Sequence, residues 1–517
     1  MLTLAEIFER TVRHHGQRPA IINGSGSGDA SLTWAQYGER VAVAAGVLGD
    51  LGLTKGRRFG IQAPNSARFD ELKWAGFRCG AIPVPINWRL VAPEIAHILA
   101  DAACEAVFVA AEFLPVYDAP DLAPWRDKLI CFGGDAPESM AELPRYDALF
   151  EAAQPAGITP SAADEDAILQ YTGGTTGRSK GVRISHTNVI ASQLGFAAGL
   201  RARPDDVYLH LAPMFHSADL LATAWVLVGG ANAYLPAFSP AAFLDCIARD
   251  RVTATIAVPA MLMMTLSDPA FETADVSSLR LLGWGASPMD AEWIKRVAKA
   301  FPDIDISNCY GLTETAPDLT LFDPDELRQA IADDDPALAS VGKPNPLVTL
   351  RVVGPDGDDL PPGASGELWA KGPNITKGYL NLPEQTAAAL SDGWLHTGDV
   401  ASIDERGYVY LHDRLKDMIV TGGENVYCAE VESALYTHPG VHECAVVGLP
   451  DVKYGESVTA VVVAAPGASL DAETLIEHCR PRIAGYKLPR RIEFVEALPK
   501  SAMGKVLKTD LRAALKA

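Results

Sequence analysis

Residues 171–181 read Tyr171-Thr172-Gly173-Gly174-Thr175-Thr176-Gly177-Arg178-Ser179-Lys180-Gly181. Glycine lets a backbone turn its N–H groups toward an anion. The hydroxyls of Thr172, Thr175, Thr176 and Ser179 can donate to phosphate oxygens, and Arg178 and Lys180 can balance phosphate charge. Just upstream, Ala167-Ile168-Leu169-Gln170-Tyr171 is short, apolar and bounded, so it reads as a buried strand. A strand running into a glycine-rich loop is how a parallel sheet presents a nucleotide phosphate. The plainer alternative is a flexible Gly/Thr surface turn. The segment is not a Walker A loop, because Arg178 follows Gly177 and the Lys and Ser are inverted.

Outward from this loop, short apolar strands alternate with helical stretches. Thr33 and Gln36 fit a capping box for a helix running to Leu51. Strands are predicted at 58–62, 81–86, 106–110, 207–212, 254–258 and 279–282, and Asn65 is placed to cap a helix through Cys79. Such alternation predicts an α/β fold with parallel sheets. The apolar stretch Leu220 to Phe238 is broken by Gly229, Gly230 and Asn232 and reads as a buried helix entering a strand, not a membrane span. Turn-rich sequence after Val341 suggests a small β-rich section. A separate pattern begins after the polar junction Asp413-Arg414-Leu415-Lys416-Asp417, with a helix near Ala429, strands at 444–447 and 458–464 and a helix at 472–482.

A chain of 517 residues is too long for one ordinary core. Its net charge of −21 argues against a nucleic-acid or anionic-membrane surface, although residues 417–517 carry only about −2 of it. The eight cysteines form no C-x-x-C pair and read as reduced core thiols of a cytoplasmic protein. The N-terminus has early acids and no basic leader, which speaks against a signal peptide.

Four further segments carry chemistry. Tyr310-Gly311-Leu312-Thr313-Glu314 follows the predicted strand end at Asn308, so its carboxylate lies on a loop; one carboxylate beside phosphates can hold Mg²⁺, though Thr-Glu is more often a helix cap. Leu395-His396-Thr397-Gly398-Asp399 offers a carboxylate that can accept ribose hydroxyls, or an Asx turn. Pro499-Lys500-Ser501-Ala502-Met503-Gly504-Lys505 offers cations where an anionic reaction would need one; solvated lysines are the plainer reading. Gly422-Gly423-Glu424 reads locally as a hairpin turn.

Taken together and in order, these segments resemble the adenylate-forming superfamily: acyl- and aryl-CoA synthetases, peptide-synthetase adenylation domains and beetle luciferases. The resemblance runs over essentially the whole chain and favours the acid–CoA ligase branch. It implies a large N-terminal domain (1–415) of two α/β subdomains plus a β-rich one, and a small mobile C-terminal α+β domain (416–517). It implies ATP, Mg²⁺ and coenzyme A. By resemblance, Thr172, Gly173, Gly174, Thr175, Thr176, Gly177 and Lys180 cradle phosphate, while Gly285, Ala286, Ser287, Asn308 and Tyr310 border adenine. Asp399 with Arg414 holds the ribose. Glu314 binds Mg²⁺, Thr313 contacts the α-phosphate region, and Lys505 is the catalytic lysine. Lys416 is the hinge, and Gly422, Gly423 and Glu424 line the coenzyme A channel. His216, in Pro213-Met214-Phe215-His216, gates an acyl pocket that Trp284 and Gly311 border.

Two residues depart from the family pattern there. Asp219 stands where glycine is common, and Asp318 where small or apolar residues are usual. Buried carboxylates are costly unless paired, so each must bind a polar group on the substrate, pair with a local Arg or Lys, or face water. The expected substrate is a small carboxylic acid, aryl or short to medium in chain, with a homodimer allowed and no nucleic-acid partner. Alternatives are an adenylating enzyme that loads a carrier protein, a luciferase-like oxygenase and a non-catalytic nucleotide-binding homologue.

Overall fold

The computed structural model describes residues 2–22, 31–172, 178–421, 424–500 and 506–516. Two compact units divide them. One takes residues 2–22, 31–172, 178–349 and 370–395, the other 350–369, 396–421, 424–500 and 506–516. The junction at 415/416 lies inside the second unit, which also includes much of the turn-rich section.

Two sheets of parallel strands carry the first unit, the α/β arrangement that the alternation predicts. In the larger, Asp305–Tyr310, Leu281–Trp284, Ala254–Ala257, Val207–His210, Ala231–Tyr234 and Pro19–Ile21 follow one another as parallel neighbours, with antiparallel strands only at the edges. In the smaller, the order is Ile82–Pro85, Arg58–Gln62, Ala106–Ala110, Leu129–Phe132, again all parallel. Strands covered on both faces read as continuous apolar runs; Val107, Phe108 and Val109 are all fully buried. The long apolar stretch becomes the helix Thr223–Val228 and the strand Ala231–Tyr234, with Gly229 ending the helix at φ +83°. Among the described residues no helix is long and apolar enough to cross a membrane.

Local signals set the helix starts, with one correction. Thr33 and Gln36 form the reciprocal cap of the helix Trp34–Asp50. The helix Ala67–Cys79 is capped by Ser66, whose Oγ accepts the Phe69 N–H, and not by Asn65. Asn65 donates instead to the carbonyls of His210 and Ala212 and accepts the Met214 N–H at 2.8 Å. A buried amide with three long-range partners satisfies more groups than a single cap bond would.

The strand before the glycine-rich loop is a second correction. Asp166–Thr172 pairs antiparallel with Lys180–Ser185 and belongs to neither parallel sheet. A parallel partner requires a crossover of about a dozen residues or more; here the apolar Val182 and Ile184 follow almost at once.

In the second unit, residues 350–353, 366–369, 396–403 and 409–414 belong to one sheet. A second sheet runs Glu424–Val426, Ile419–Thr421, Gly455–Ala464, Val441–Asp451, with Arg491–Phe494 parallel to Gly455–Ala464. The helices Cys428–Tyr436 and Ala472–Cys479 contribute Val431, Leu435 and Leu475 to one core, while Leu511 joins Ala445 and Val447 in another. Lys500 and Lys508 are ion-paired with Glu443 and Glu432.

Candidate active site

Because the central strands of the larger sheet are parallel, the chain leaves all of them at one edge, the place where open α/β sheets bind ligands. The segments after His210, Trp284 and Tyr310 therefore emerge together. Trp284 and Asn308 are register neighbours, and the Gly285 N–H donates to the Ala257 carbonyl at 3.2 Å. Ala286 takes φ +67°, in the left-handed region, and Ser287 is exposed. Asn308 is buried with its amide 3.5 Å from the Ser340 carbonyl, and the Tyr310 carbonyl accepts the Leu319 N–H. Only glycine fits at 311, where a Cβ would lie 1.6 Å from the Pro317 carbonyl oxygen.

The His216 segment and the Thr313 segment meet. Ser217 Oγ and Thr313 Oγ1 are 3.1 Å apart. His216 is half-buried and caps the turn Ser217–Ala222, its Nδ1 accepting the Ala218 N–H, so the neutral ring carries its proton on Nε2. Asn65 holds the approach to it through Met214.

Glu314 connects this edge to the hairpin around the glycine-rich loop. Its Oε1 accepts the Tyr379 hydroxyl at 2.9 Å, and its carbonyl accepts the Thr376 N–H at 2.8 Å. The same Tyr379 ring lies 5.0 Å from the Lys180 ammonium. Thr172 and Lys180 face each other across the hairpin. Gly173, Gly174, Thr175, Thr176 and Gly177 lie outside the described residues, as do Gly422, Gly423 and Lys505.

Both unusual aspartates are enclosed, which removes the reading that they face water. Asp219, 4% exposed, accepts from the Lys73 ammonium and from His210 Nδ1 at 2.6 Å. Lys73 also pairs with Asp70 at 2.9 Å, and Asp70 accepts the Tyr37 and Tyr234 hydroxyls, each at 3.1 Å. Burial alone would raise the Asp219 carboxyl; Lys73 and His210 outweigh it and hold the group below its ordinary value. Pairing with a local lysine is thus what the structure shows for Asp219. The carboxylate of Asp318, a residue 1% exposed, accepts the Asn345 amide at Oδ2, 2.7 Å away, while its Oδ1 has no partner among the described residues. Burial pushes its carboxyl up to about 7. Trp284 is fully buried, its indole N–H likewise without a partner among the described residues.

The second unit holds the remaining positions. Asp399 and Arg414 are cross-strand neighbours, with Arg414 Nε 2.9 Å from Asp399 Oδ1. Thr397 and Glu367 hold the bend before Asp399 through the Asp399 and Gly398 N–H groups. Lys416 is exposed in the link between Val409–Arg414 and Ile419–Thr421, beside Asp417, which pairs with Arg512 at 2.8 Å. Exposed Glu424 is the register partner of Thr421.

Two models of one family match this chain: the AMP-binding enzyme model over residues 8–380 and the AMP-binding enzyme C-terminal domain over 430–505. The chain belongs to the AMP-binding enzyme family. This AMP-binding enzyme is 37% identical to the feruloyl-CoA synthase of an Amycolatopsis species over 94% of both chains. It is also 37% identical to the long-chain-fatty-acid–CoA ligase FadD13 of Mycobacterium tuberculosis, over 94% of this chain and 93% of that one. Its fold superposes on ATP-bound MatB from Rhodopseudomonas palustris with a TM-score of 0.87 and 32% identity, covering 100% of this chain and 99% of that one. It is an adenylate-forming enzyme of the acyl-CoA synthetase kind, as the resemblance implies.

Sequence reasoning missed Lys73 and Tyr379 and reads Asn65 only as a helix cap. Lys73 sits mid-helix between Leu72 and Trp74, and a lysine three positions after Asp70 on a helix was the available signal. Nothing local marks Tyr379, and the partners of both Asn65 and Tyr379 lie far away in sequence.

Proposed function

We propose that this enzyme activates a small organic acid with ATP as an acyl-adenylate and then transfers the acyl group to coenzyme A. The observation that carries the reading is the meeting of the His216 and Glu314 segments at the carboxyl edge of the parallel sheet, with Lys180 tied to Glu314 through Tyr379. Glu314 is the residue that would hold Mg²⁺. Among the described residues no group of three or more His, Cys, Asp or Glu could form a protein-only metal cage. A single carboxylate with one oxygen held by a hydroxyl fits an ion that takes most of its ligands from phosphate and water. Bound there, Mg²⁺ supplies charge neutralisation for the triphosphate.

Thr313 is set against the Ser217 hydroxyl and is assigned to the α-phosphate region. Asp399, oriented by Arg414, is assigned to the ribose. Lys505 offsets the repulsion between carboxylate and α-phosphate. Residues 416–517 act as the mobile C-terminal domain, with Lys416 as hinge and Gly422, Gly423 and Glu424 along the coenzyme A path. His216, with its proton on Nε2, gates the acyl pocket. An aryl or short- to medium-chain acid suits an edge where the bulky Trp284 occupies a strand end and Asp219 is spent on Lys73 and His210. The unpaired cysteines suit a cytoplasmic setting.

A panel of carboxylic acids, each supplied with ATP, Mg²⁺ and coenzyme A, tests the reading through AMP release and loss of free thiol. AMP release that depends on an acid and on coenzyme A supports it. Pyrophosphate exchange without thiol loss, with acyl transfer to a carrier protein instead, overturns the coenzyme A assignment. No exchange with any acid overturns adenylation.

A further inference from the structure

The segment Thr376-Lys377-Gly378-Tyr379-Leu380 straps the phosphate-loop hairpin to the Glu314 turn. On one side it runs beside Lys180–Ser185: Leu380 N–H donates to the Gly181 carbonyl at 2.8 Å, Arg183 N–H donates to the Gly378 carbonyl at 3.0 Å, and Tyr379 bridges Val182. On the other side it holds Glu314 twice, by the Thr376 N–H on the carbonyl and by the Tyr379 hydroxyl on Oε1. The strap has little freedom. Gly378 takes φ +119°, and a Cβ there would lie 2.2 Å from the Thr386 side chain, whose Oγ1 accepts the Tyr379 N–H at 2.9 Å.

Tyr379 thus touches both charged groups assigned to the triphosphate and its metal. Its ring face takes the Lys180 ammonium and its hydroxyl takes one oxygen of Glu314. An unanchored glutamate must give up side-chain freedom when it ligates; one already held at Oε1 has given up much of it and keeps Oε2 for the ion. The ring, in turn, limits where the long lysine stem can place its charge.

We infer that Tyr379 is a positioning residue that sets the Glu314 carboxylate and the Lys180 ammonium in register for a metal–triphosphate complex. This rests on the reading of Glu314 as the metal residue. The hydroxyl and the ring act separately: the first on the metal, the second on the lysine.

The test is Mn²⁺–ATP binding to the full chain, followed by Mn²⁺ relaxation, with ATP binding in EDTA measured in parallel. No acid substrate is needed. Tyr379→Phe is expected to weaken Mn²⁺–ATP about tenfold, as for loss of a hydrogen bond to a charged group, and to leave metal-free ATP binding and the thermal midpoint of the ligand-free chain unchanged. Tyr379→Leu is expected to weaken both forms of ATP by about a further threefold. Glu314→Gln separates the two layers. If it weakens Mn²⁺–ATP while Tyr379→Phe binds like the natural chain, the positioning role falls and the adenylation reading stands. If Glu314→Gln binds Mn²⁺–ATP unchanged, the metal assignment falls and this inference with it. A Tyr379→Phe loss that persists equally in EDTA marks general loosening and also overturns the inference.

Discussion

Asp219 Oδ1 lies 2.6 Å from His210 Nδ1, and both side chains are closed to water. His210 Nε2 lies 3.2 Å from Asn232 Oδ1, and the Asn232 amide nitrogen points to the Ala20 carbonyl. The Lys73 ammonium lies between two carboxylates, Asp70 and Asp219, and His210 closes the other side of Asp219. A buried set of this kind is tolerated in a core because each charged group has a close partner. It also anchors the turn that begins at His216.

Removing the ammonium should expose that pairing. Lys73→Met leaves two buried carboxylates without their shared cation, and an expected loss of about 3–5 kcal/mol follows from stranding a buried charge. Urea unfolding followed by tryptophan fluorescence measures it, since Trp34, Trp74 and Trp225 are buried in the same unit. Lys55→Met, which breaks the exposed pair with Glu165, should leave the midpoint nearly unmoved.

Asp318 should impose a pH dependence of definite sign. Its carboxyl is raised from 3.8 to about 7 by burial. Between those values the folded chain keeps a proton that the unfolded chain has lost, so this contribution to stability is full below the lower value, declines as pH rises and is gone above the upper one. Asp318→Asn keeps the shape and removes the titration. The variant should lose that decline and be more stable than the natural chain at pH 8 by about 2–4 kcal/mol. Denaturation midpoints at pH 5 and pH 8 decide; an unchanged slope in the variant would count against an elevated Asp318.

Lys505→Ala should separate the half-reactions. A positioned cation at developing phosphate charge contributes about 10²–10³ in rate. Pyrophosphate exchange should fall by that order, while thioester formation from supplied acyl-adenylate should change little. Equal losses in both steps would remove the role assigned to Lys505.

Lys416→Pro should do the reverse. Proline fixes φ near −65° and removes an N–H, which restricts the exposed link between Arg414 and Asp417. Thioester formation from acyl-adenylate should slow severalfold while pyrophosphate exchange persists. Unaltered thioester formation would exclude Lys416 as the hinge.

Local rules carried far along this chain. The Thr33–Gln36 box, the apolar strands of the two parallel sheets and the break at Gly229–Gly230 could all be read directly, because each depends on neighbours within a few positions. The strand before the glycine-rich loop was legible as a strand but not as half of a hairpin. Its apolar run suits either pairing, and the short connection was the overlooked signal. Asn65 looked like a cap because asparagine favours caps; the carbonyls it serves instead lie at the end of Val207–His210 and just beyond it.

The sequence alone determined the order of the chemical segments and the class of the fold, since motif spacing and hydrophobic periodicity are properties of adjacent residues. The tertiary structure decided which distant groups share a buried space: Lys73 with Asp219, Tyr379 with Glu314, Asp318 with Asn345. Whether a charge is paired, stranded or solvated depends on burial and on partners brought from far along the chain, and only the packed fold sets those.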